Sequence, residues 1–322
     1  MVGNVVYLYV NVKVISAAFP DGVRPDIMWP DPARMRGLPL DRIAVAVFAH
    51  NEERNIVRCL EHLPLDSVGK GASVHVLVNG SSDRTAALAR AFAAGRHGLH
   101  VHDIVQGGKA NAWNLFVHEL AGEAEAYVFH DGDCWMRPRA AERLAEALAG
   151  PGGPNAAAGY PYTGRSAERW RANRYGVAGN LYGLSGRFVG VLRQRGVRMP
   201  AGWIGDDDFV DALAQWDADP AGPMRPERVV QCVEAEFGYR SLDPLSPADL
   251  NTYRRRLVAY SLRRYQDRML FGAMRERGLA AIPPDVATLY RRELARVRLE
   301  WRGVSTLFDW LALRRIRRLA AA

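Results

Sequence analysis

Apolar and polar positions along the chain separate strands from helices from residue 43 onward. Ile43-Ala-Val-Ala-Val-Phe48 is a short, uninterrupted apolar run, the mark of a strand buried on both faces. From Asn51 to Leu63, the apolar residues Ile56, Val57, Leu60 and Leu63 fall at helical spacing. Val74-His-Val-Leu-Val78 predicts a second strand. It ends in Asn79-Gly-Ser-Ser-Asp83, turn residues that also cap a helix from about Thr85 to Ala94. Leu99 to Val105 and Ala126 to His130 predict two more strands, each followed by a helix, over Asn111 to Leu120 and Arg139 to Ala149. Strand and helix alternate every 25–30 residues or so, roughly one βαβ unit each. The pattern predicts right-handed crossovers and a parallel α/β sheet covered by helices on both faces.

Outside this stretch the pattern changes. Residues 1–40 read as an extension that begins like an edge strand and becomes rich in Pro and Asp over residues 20–39. Val5 to Phe19 looks apolar but is interrupted by Asn11 and Lys13, and it lacks the basic start and cleavage site of a signal peptide. Pro151-Gly-Gly-Pro154 reads as a linker, and a Gly-rich stretch runs from Gly176 to Gly190. From Pro247 onward the chain is mostly helical, broken at Pro283-Pro284. No apolar run is long enough to predict a membrane-spanning helix.

The 322 residues are 48% apolar and 24% charged, ordinary globular usage that excludes wholesale disorder and a disulfide scaffold. Cys59, Cys134 and Cys232 are scattered without metal-ligand spacing, which predicts reduced thiols and a cytoplasmic setting. The net charge of +8 is unevenly placed. Residues 250–322 hold 17 arginines against six acids, a balance of +11 that leaves −3 for the remainder. Arginine outnumbers lysine 40 to three, so arginine abundance means little and a retained lysine such as Lys109 stands out.

In an open parallel sheet, ligands bind beyond the carboxyl ends of the strands. The residues there are His50 to Glu53, Asn79 to Asp83, Gln106-Gly-Gly-Lys109 and Asp131-Gly-Asp133. Four consecutive polar or Gly-rich strand ends converge on one edge. Asp131 and Asp133, separated by a glycine, can point into one cleft. Hard divalent cations are held by one or two such carboxylates together with substrate phosphates, although a plain surface turn has the same spacing. Gly107-Gly-Lys109 is not a P-loop, but it opens a helix and offers backbone N–H groups and an ammonium to phosphate. Trp113, one turn into that helix, reads as core. Gly205-Asp-Asp-Asp208 places three carboxylates before an apolar helix, as dipole-favoured first-turn acids, as a general base beside a metal, or as both. Trp203 either stacks on a sugar or packs, and Arg254-Arg-Arg256 either neutralises a diphosphate or forms a solvated face. The eight histidines, all within the first 130 residues, lack zinc-site spacing and read as structural or solvent-facing. Trp310 to Leu319 mixes four arginines with Trp310, Leu313 and Ile316. Such a helix either makes peripheral contact with an anionic membrane or packs its stripe on the protein.

Five segments taken together resemble the inverting family 2 glycosyltransferases of GT-A fold. They are Val47-Phe-Ala-His-Asn-Glu-Glu53, Val78-Asn-Gly-Ser-Ser-Asp-Arg-Thr85, Gly108-Lys-Ala-Asn-Ala-Trp-Asn114, Phe129-His-Asp-Gly-Asp133 and Gly205-Asp-Asp-Asp208, in the family's order across about residues 41–215. The resemblance implies a mostly parallel sheet flanked by helices. A Rossmann-like nucleotide-sugar-binding half (41–150) would be joined to an acceptor and catalytic-base half (151–249) and a basic helical region (250–322). It implies that Ala49, Asn51 and Glu52 line the nucleotide pocket, that Asn79 faces the base and that Asp83 braces its loop. Lys109 and Asn114 would reach the ribose or phosphates. Asp131 and Asp133 would be the Asp-x-Asp pair, with Asp133 the direct ligand of Mn2+ or Mg2+. Asp207 would be the general base, with Asp206 and Asp208 the other candidates. Arg256, within Tyr253-Arg-Arg-Arg-Leu257, best matches the arginine of the Gln-x-x-Arg-Trp signature of processive synthases. The Gln and Trp are missing, so the likeness is not to a polymer synthase.

The implied activity is metal-dependent, inverting transfer of a sugar from a nucleotide-diphosphate sugar to an acceptor hydroxyl. A UDP-sugar is the first choice of donor, although Asn79 stands where many uridine-using members have Asp. Two other functions compete. A nucleotidyltransferase making nucleotide sugars would want a Gly-rich phosphate loop where His50-Asn-Glu-Glu-Arg54 stands. A non-catalytic basic module binding nucleic acid or an anionic surface is opposed by the acidic clusters and by the lack of any nucleic-acid-reading motif.

Overall fold

The apolar runs become the centre of one eight-stranded sheet of order β3-β2-β1-β4-β7-β6-β8-β5. The computed structural model describes residues 42–64, 72–163, 167, 176–242 and 246–321, so the extension read over residues 1–40 lies outside the described residues. The strands are β1 (Ile43–Ala49), β2 (Ala72–Asn79), β3 (Leu99–Ile104), β4 (Ala126–Asp131), β5 (Cys134–Met136), β6 (Ala156–Pro161), β7 (Leu181–Ser185) and β8 (Val229–Tyr239). The first four pair in parallel, as their alternation with helices predicts. β7 runs antiparallel to β4 and to β6, β8 is parallel to β6, and β5 closes the far edge antiparallel to β8.

Helices cover both faces. They are α1 (Ile56–Glu61), α2 (Thr85–Ala93), α3 (Lys109–Leu115), α4 (Ala140–Leu148), α5 (Gly186–Gln194), α6 (Asp206–Gln215), α7 (Pro247–Arg277), α8 (Val286–Glu293) and α9 (Ser305–Ala321). Successive residues of β1 point to opposite faces. Ile43, Val45 and Val47 pack with Ile56, Leu60, Leu144 and Leu148. Ala44, Ala46 and Phe48 join the core of Trp113, Phe116, Phe129, Tyr182 and Phe209, which continues into the C-terminal helices through Tyr265 and Ile316.

Three elements depart from expectation for local reasons. The helix expected over Asn51 to Leu63 shrinks to α1, because Asn51 takes φ +56° and residues 51–55 form a turn that reaches across to the β2–α2 loop. The helix expected from Asn111 starts at Lys109 and ends in a π-helical turn over Phe116–Leu120. The Pro151–Pro154 stretch joins α4 to β6 within the same sheet. In the C-terminal region, α7 is capped by Ser246 and α8 by Asp285, whose carboxylate accepts from the Thr288 N–H at 2.7 Å.

Candidate active site

The carboxyl ends of β1, β2 and β4 and the start of α3 enclose a cleft of about 410 Å³. It is lined by Phe48, His50, Glu52, Asn79, Gly108, Lys109, Asp131, Gly132 and Asp133. Its floor is tied together by polar side chains facing backbone. Buried Asn79 donates to the Ala49 carbonyl at 3.0 Å and accepts from the Gly108 N–H at 3.2 Å, joining β1, β2 and α3. Gly80 takes φ +59°, and a Cβ there would sit 2.7 Å from Gly107 Cα, so glycine lets the β2 and β3 loops touch. The Asp131-Gly-Asp133 turn presses on the end of β1, with Gly132 N–H donating to the Phe48 carbonyl at 2.8 Å. Asn51 accepts from Ser82 N–H at 2.9 Å. Asp83 accepts from Glu53 N–H at 3.1 Å and from the N–H and hydroxyl of Thr85. Burial raises the Asp83 carboxyl, but these hydrogen bonds outweigh it and hold the group below the usual range. Glu52 is shifted the other way, upward, chiefly by burial.

Lys109 is the electrostatic hub. Its Nζ lies 2.6 Å from Asp131, 3.1 Å from Asp206 and 3.1 Å from the Gly179 carbonyl. It thereby joins the end of β4 to the start of α6. Burial works against its charge, but the two carboxylates outweigh burial and push its pKa well up. Asp131 is pushed up to about 7 by burial, with Asp133 and Asp206 adding and Lys109 opposing. Burial likewise raises Asp206, which accepts from the Tyr182 hydroxyl at 3.4 Å. Asp133 differs: among the described residues its carboxylate has one hydrogen bond, from the Cys134 thiol at 3.2 Å, and no cationic partner. Asp207 pairs with Arg263 at 3.0 Å, and Asp208 pairs with the Nε of the same arginine. Burial raises the carboxyls of Asp208 and Asp267, with Arg263 opposing in both.

Of the residues singled out in the sequence, Glu52, Asn79, Lys109, Asp131 and Asp133 meet in the cleft. Asp206 and Asp207 adjoin it through Lys109 and Gly179. Ala49 lies buried below, contributing its carbonyl, while Asn51 and Asp83 hold the rim loops together. Asn114 is not brought to the cleft: its amide pairs with the backbone of Met199 in both directions, at 2.9 and 2.8 Å. Arg256 is exposed on α7, and Arg263, seven residues further along that helix, is the arginine that reaches the acids. Trp113 is core and donates to Tyr182, and Trp203 packs against Phe209 and Phe271. Gly179, Asn180, Tyr182 and Arg263 belong to the site without having been singled out. β7 runs antiparallel to β4, so the residues before it, not after it, face the cleft.

The cleft can hold a phosphorylated ligand against Lys109 and the start of α3. Among the described residues, no three His, Cys, Asp or Glu side chains converge to hold a metal unaided. A cation at Asp133 would therefore share its coordination with a ligand's phosphates.

The model of the family described as glycosyl transferase family 2 matches residues 44–207. No curated protein sequence matches the chain. The mannosyltransferase PcManGT from Pyrobaculum calidifontis, in complex with GDP-Man and Mn2+, has a TM-score of 0.53 at 18% identity, over 90% of this chain and 83% of that one. Glucosyl-3-phosphoglycerate synthase from Mycobacterium tuberculosis, in complex with Mn2+, UDP-Glc and phosphoglyceric acid, has a TM-score of 0.46 at 19% identity, over 75% and 78%. S. aureus TarS 1-349 with UDP-GlcNAc has a TM-score of 0.46 at 13% identity, over 87% and 91%. The first of these likenesses shows the shared fold. No helix among the described residues is long and apolar enough to cross a membrane.

Proposed function

The chain belongs to glycosyl transferase family 2 and is a glycosyltransferase, and from that premise we propose how it acts. It transfers a sugar from a nucleotide-diphosphate sugar to an acceptor hydroxyl, with Mn2+ or Mg2+ at Asp133 and inversion at the anomeric carbon. The carrying observation is the division of labour between two cleft carboxylates. Asp131 is held by Lys109, whereas Asp133 has no cationic partner among the described residues. An oxygen donor at an open cleft, without a full protein cage, fits a hard divalent cation that completes its shell with phosphates. When bound, the ion supplies Lewis-acid neutralisation of the departing diphosphate.

The remaining steps fall to the chain itself. Glu52, Asn79 and the zipped rim loops receive the nucleoside, and Lys109 faces the phosphates. Asp207, at the first turn of α6, takes the proton of the acceptor hydroxyl as its oxygen attacks the anomeric carbon opposite the leaving group. A single displacement inverts that carbon. Arg263 orients the Asp207 carboxylate. Uridine diphosphate is the first donor nucleotide to try, and guanosine diphosphate, bound as GDP-Man by PcManGT, is the second.

A thermal-shift panel of nucleoside diphosphates with Mn2+ tests the reading, since a ligand that binds only the folded state raises its melting temperature. One diphosphate should stabilise the chain clearly more with Mn2+ than without. A flat panel, or pyrophosphate release from a nucleoside triphosphate and a sugar phosphate, overturns it in favour of no donor site or of a nucleotidyltransferase.

A further inference from the structure

The C-terminal helix α9 settles where its apolar stripe goes and leaves a second face without a partner. Ala312, Leu313 and Ile316 are buried, so that stripe packs on the protein. The opposite side looks outward. Leu307, Trp310, Arg314 and Arg318 follow at i, i+3, i+7 and i+11, one line along a helix. Leu307 is 55% and Trp310 46% exposed, and the segment leading into the helix adds Trp301 at 85% and Val304 at 56%. Single exposed apolar residues are ordinary, but four within ten residues, two of them tryptophan, form a patch that marks an interaction site.

We propose that this face docks on an anionic lipid bilayer. Trp301, Leu307 and Trp310 sit at the headgroup boundary, and Arg314, Arg317 and Arg318 lie against lipid phosphates. The exposed face carries apolar and basic side chains together, and interfacial binding scales with the apolar area buried plus the attraction of basic residues to anionic lipid. Arg314, Arg317 and Arg318 are exposed, and none has an acidic partner among the described residues. Indole rings favour the boundary between hydrocarbon and water. A second copy of the chain is a poor occupant, because a two-fold contact uses the same patch twice and gathers both sets of arginines into one interface with no exposed acid of that face to pair them. Nucleic acid would engage the arginines and leave Leu307 and both tryptophans in water.

The full chain is sedimented at physiological salt with vesicles of phosphatidylcholine alone and of phosphatidylcholine with phosphatidylglycerol. Two variants accompany it, Leu307→Glu with Trp310→Ala, and Arg314→Glu with Arg317→Glu and Arg318→Glu. All five positions are exposed, and unchanged unfolding midpoints verify that the variants fold. Binding is expected only to the phosphatidylglycerol vesicles, falling about tenfold or more in each variant, as each removes one of the two contributions to interfacial binding. Absence of binding to anionic vesicles, equal binding to both compositions, parent-like binding by both variants, or a concentration-dependent dimer that buries Trp310 would each overturn the proposal. The readout is lipid binding, so it is decided separately from the transferase reading.

Discussion

The strongest statements about single residues concern carboxylates, because burial and neighbours give chemically identical groups different work. Replacing Asp133 by alanine removes the acid without a cationic partner and leaves the Lys109–Asp131 pair intact. The expected result is loss of the Mn2+-dependent part of nucleoside diphosphate binding, read by titration calorimetry with and without the ion. Equal affinity in the variant and the parent would move the metal elsewhere. Asp207→Asn keeps the side chain's size and removes its basicity. Turnover should fall by about 10² or more while donor binding persists, in line with the loss of a general base. Turnover at the parent level would pass the role to Asp206 or Asp208. Asp206, however, is engaged by Lys109 and Tyr182, and Asp208 is engaged by the Nε of Arg263. The sequence pointed to the acids because polar residues beyond apolar strands are conspicuous. It could not show Arg263, one basic residue among 17 in the region, until α7 was seen to lay it across Asp207 and Asp208.

Legibility at the level of elements followed strand chemistry. β1, β2 and β4 are continuous apolar runs at the centre of the sheet and were readable almost to the residue. β6 is Ala-Ala-Ala-Gly-Tyr-Pro and β5 is three residues long, so neither carries the β-branched signal or the length that marks a strand. Their pairing comes from the sheet around them. The β2–β3 pair supports a prediction of its own. His75 of β2 lies buried, stacked on His102 of β3 with ring centroids 5.2 Å apart and edge-on to Phe116. Burial, with His102 and His100 adding, pushes its pKa down to about 4. The sign follows from linkage: between about pH 6.5 and 4 the unfolded chain takes up a proton that the native chain refuses, so stability is lost as pH falls. The shift is worth at most about 3 kcal/mol. Urea unfolding of His75→Phe should therefore show a shallower loss of stability across that window than the parent. An unchanged slope would assign the pH dependence to other groups.

At the scale of the whole molecule, one core runs from Phe48 in the first strand through Trp113 and Phe209 to Tyr265 and Ile316 in the C-terminal helices. The +11 balance of residues 250–322 does not keep that region apart, because acids within it meet arginines at the seam between helices. Asp309 of α9 is fully buried, 2.9 Å from Arg264 of α7 and 3.3 Å from Arg302. Removing one member of a buried ion pair strands the other, at a cost of about 3 kcal/mol. Glu300, 3.9 Å from Arg264, offsets part of that loss. Asp309→Ala is therefore expected to lower the unfolding midpoint. Because Arg264 adjoins the arginine that holds Asp207 and Asp208, α7 carries the loss into the cleft. Helix content by circular dichroism and protection by nucleoside diphosphate should disappear together, at one lowered midpoint. Two separate transitions, with the nucleotide-protected one unmoved, would mean that α9 comes away on its own and that α7 does not couple it to the cleft.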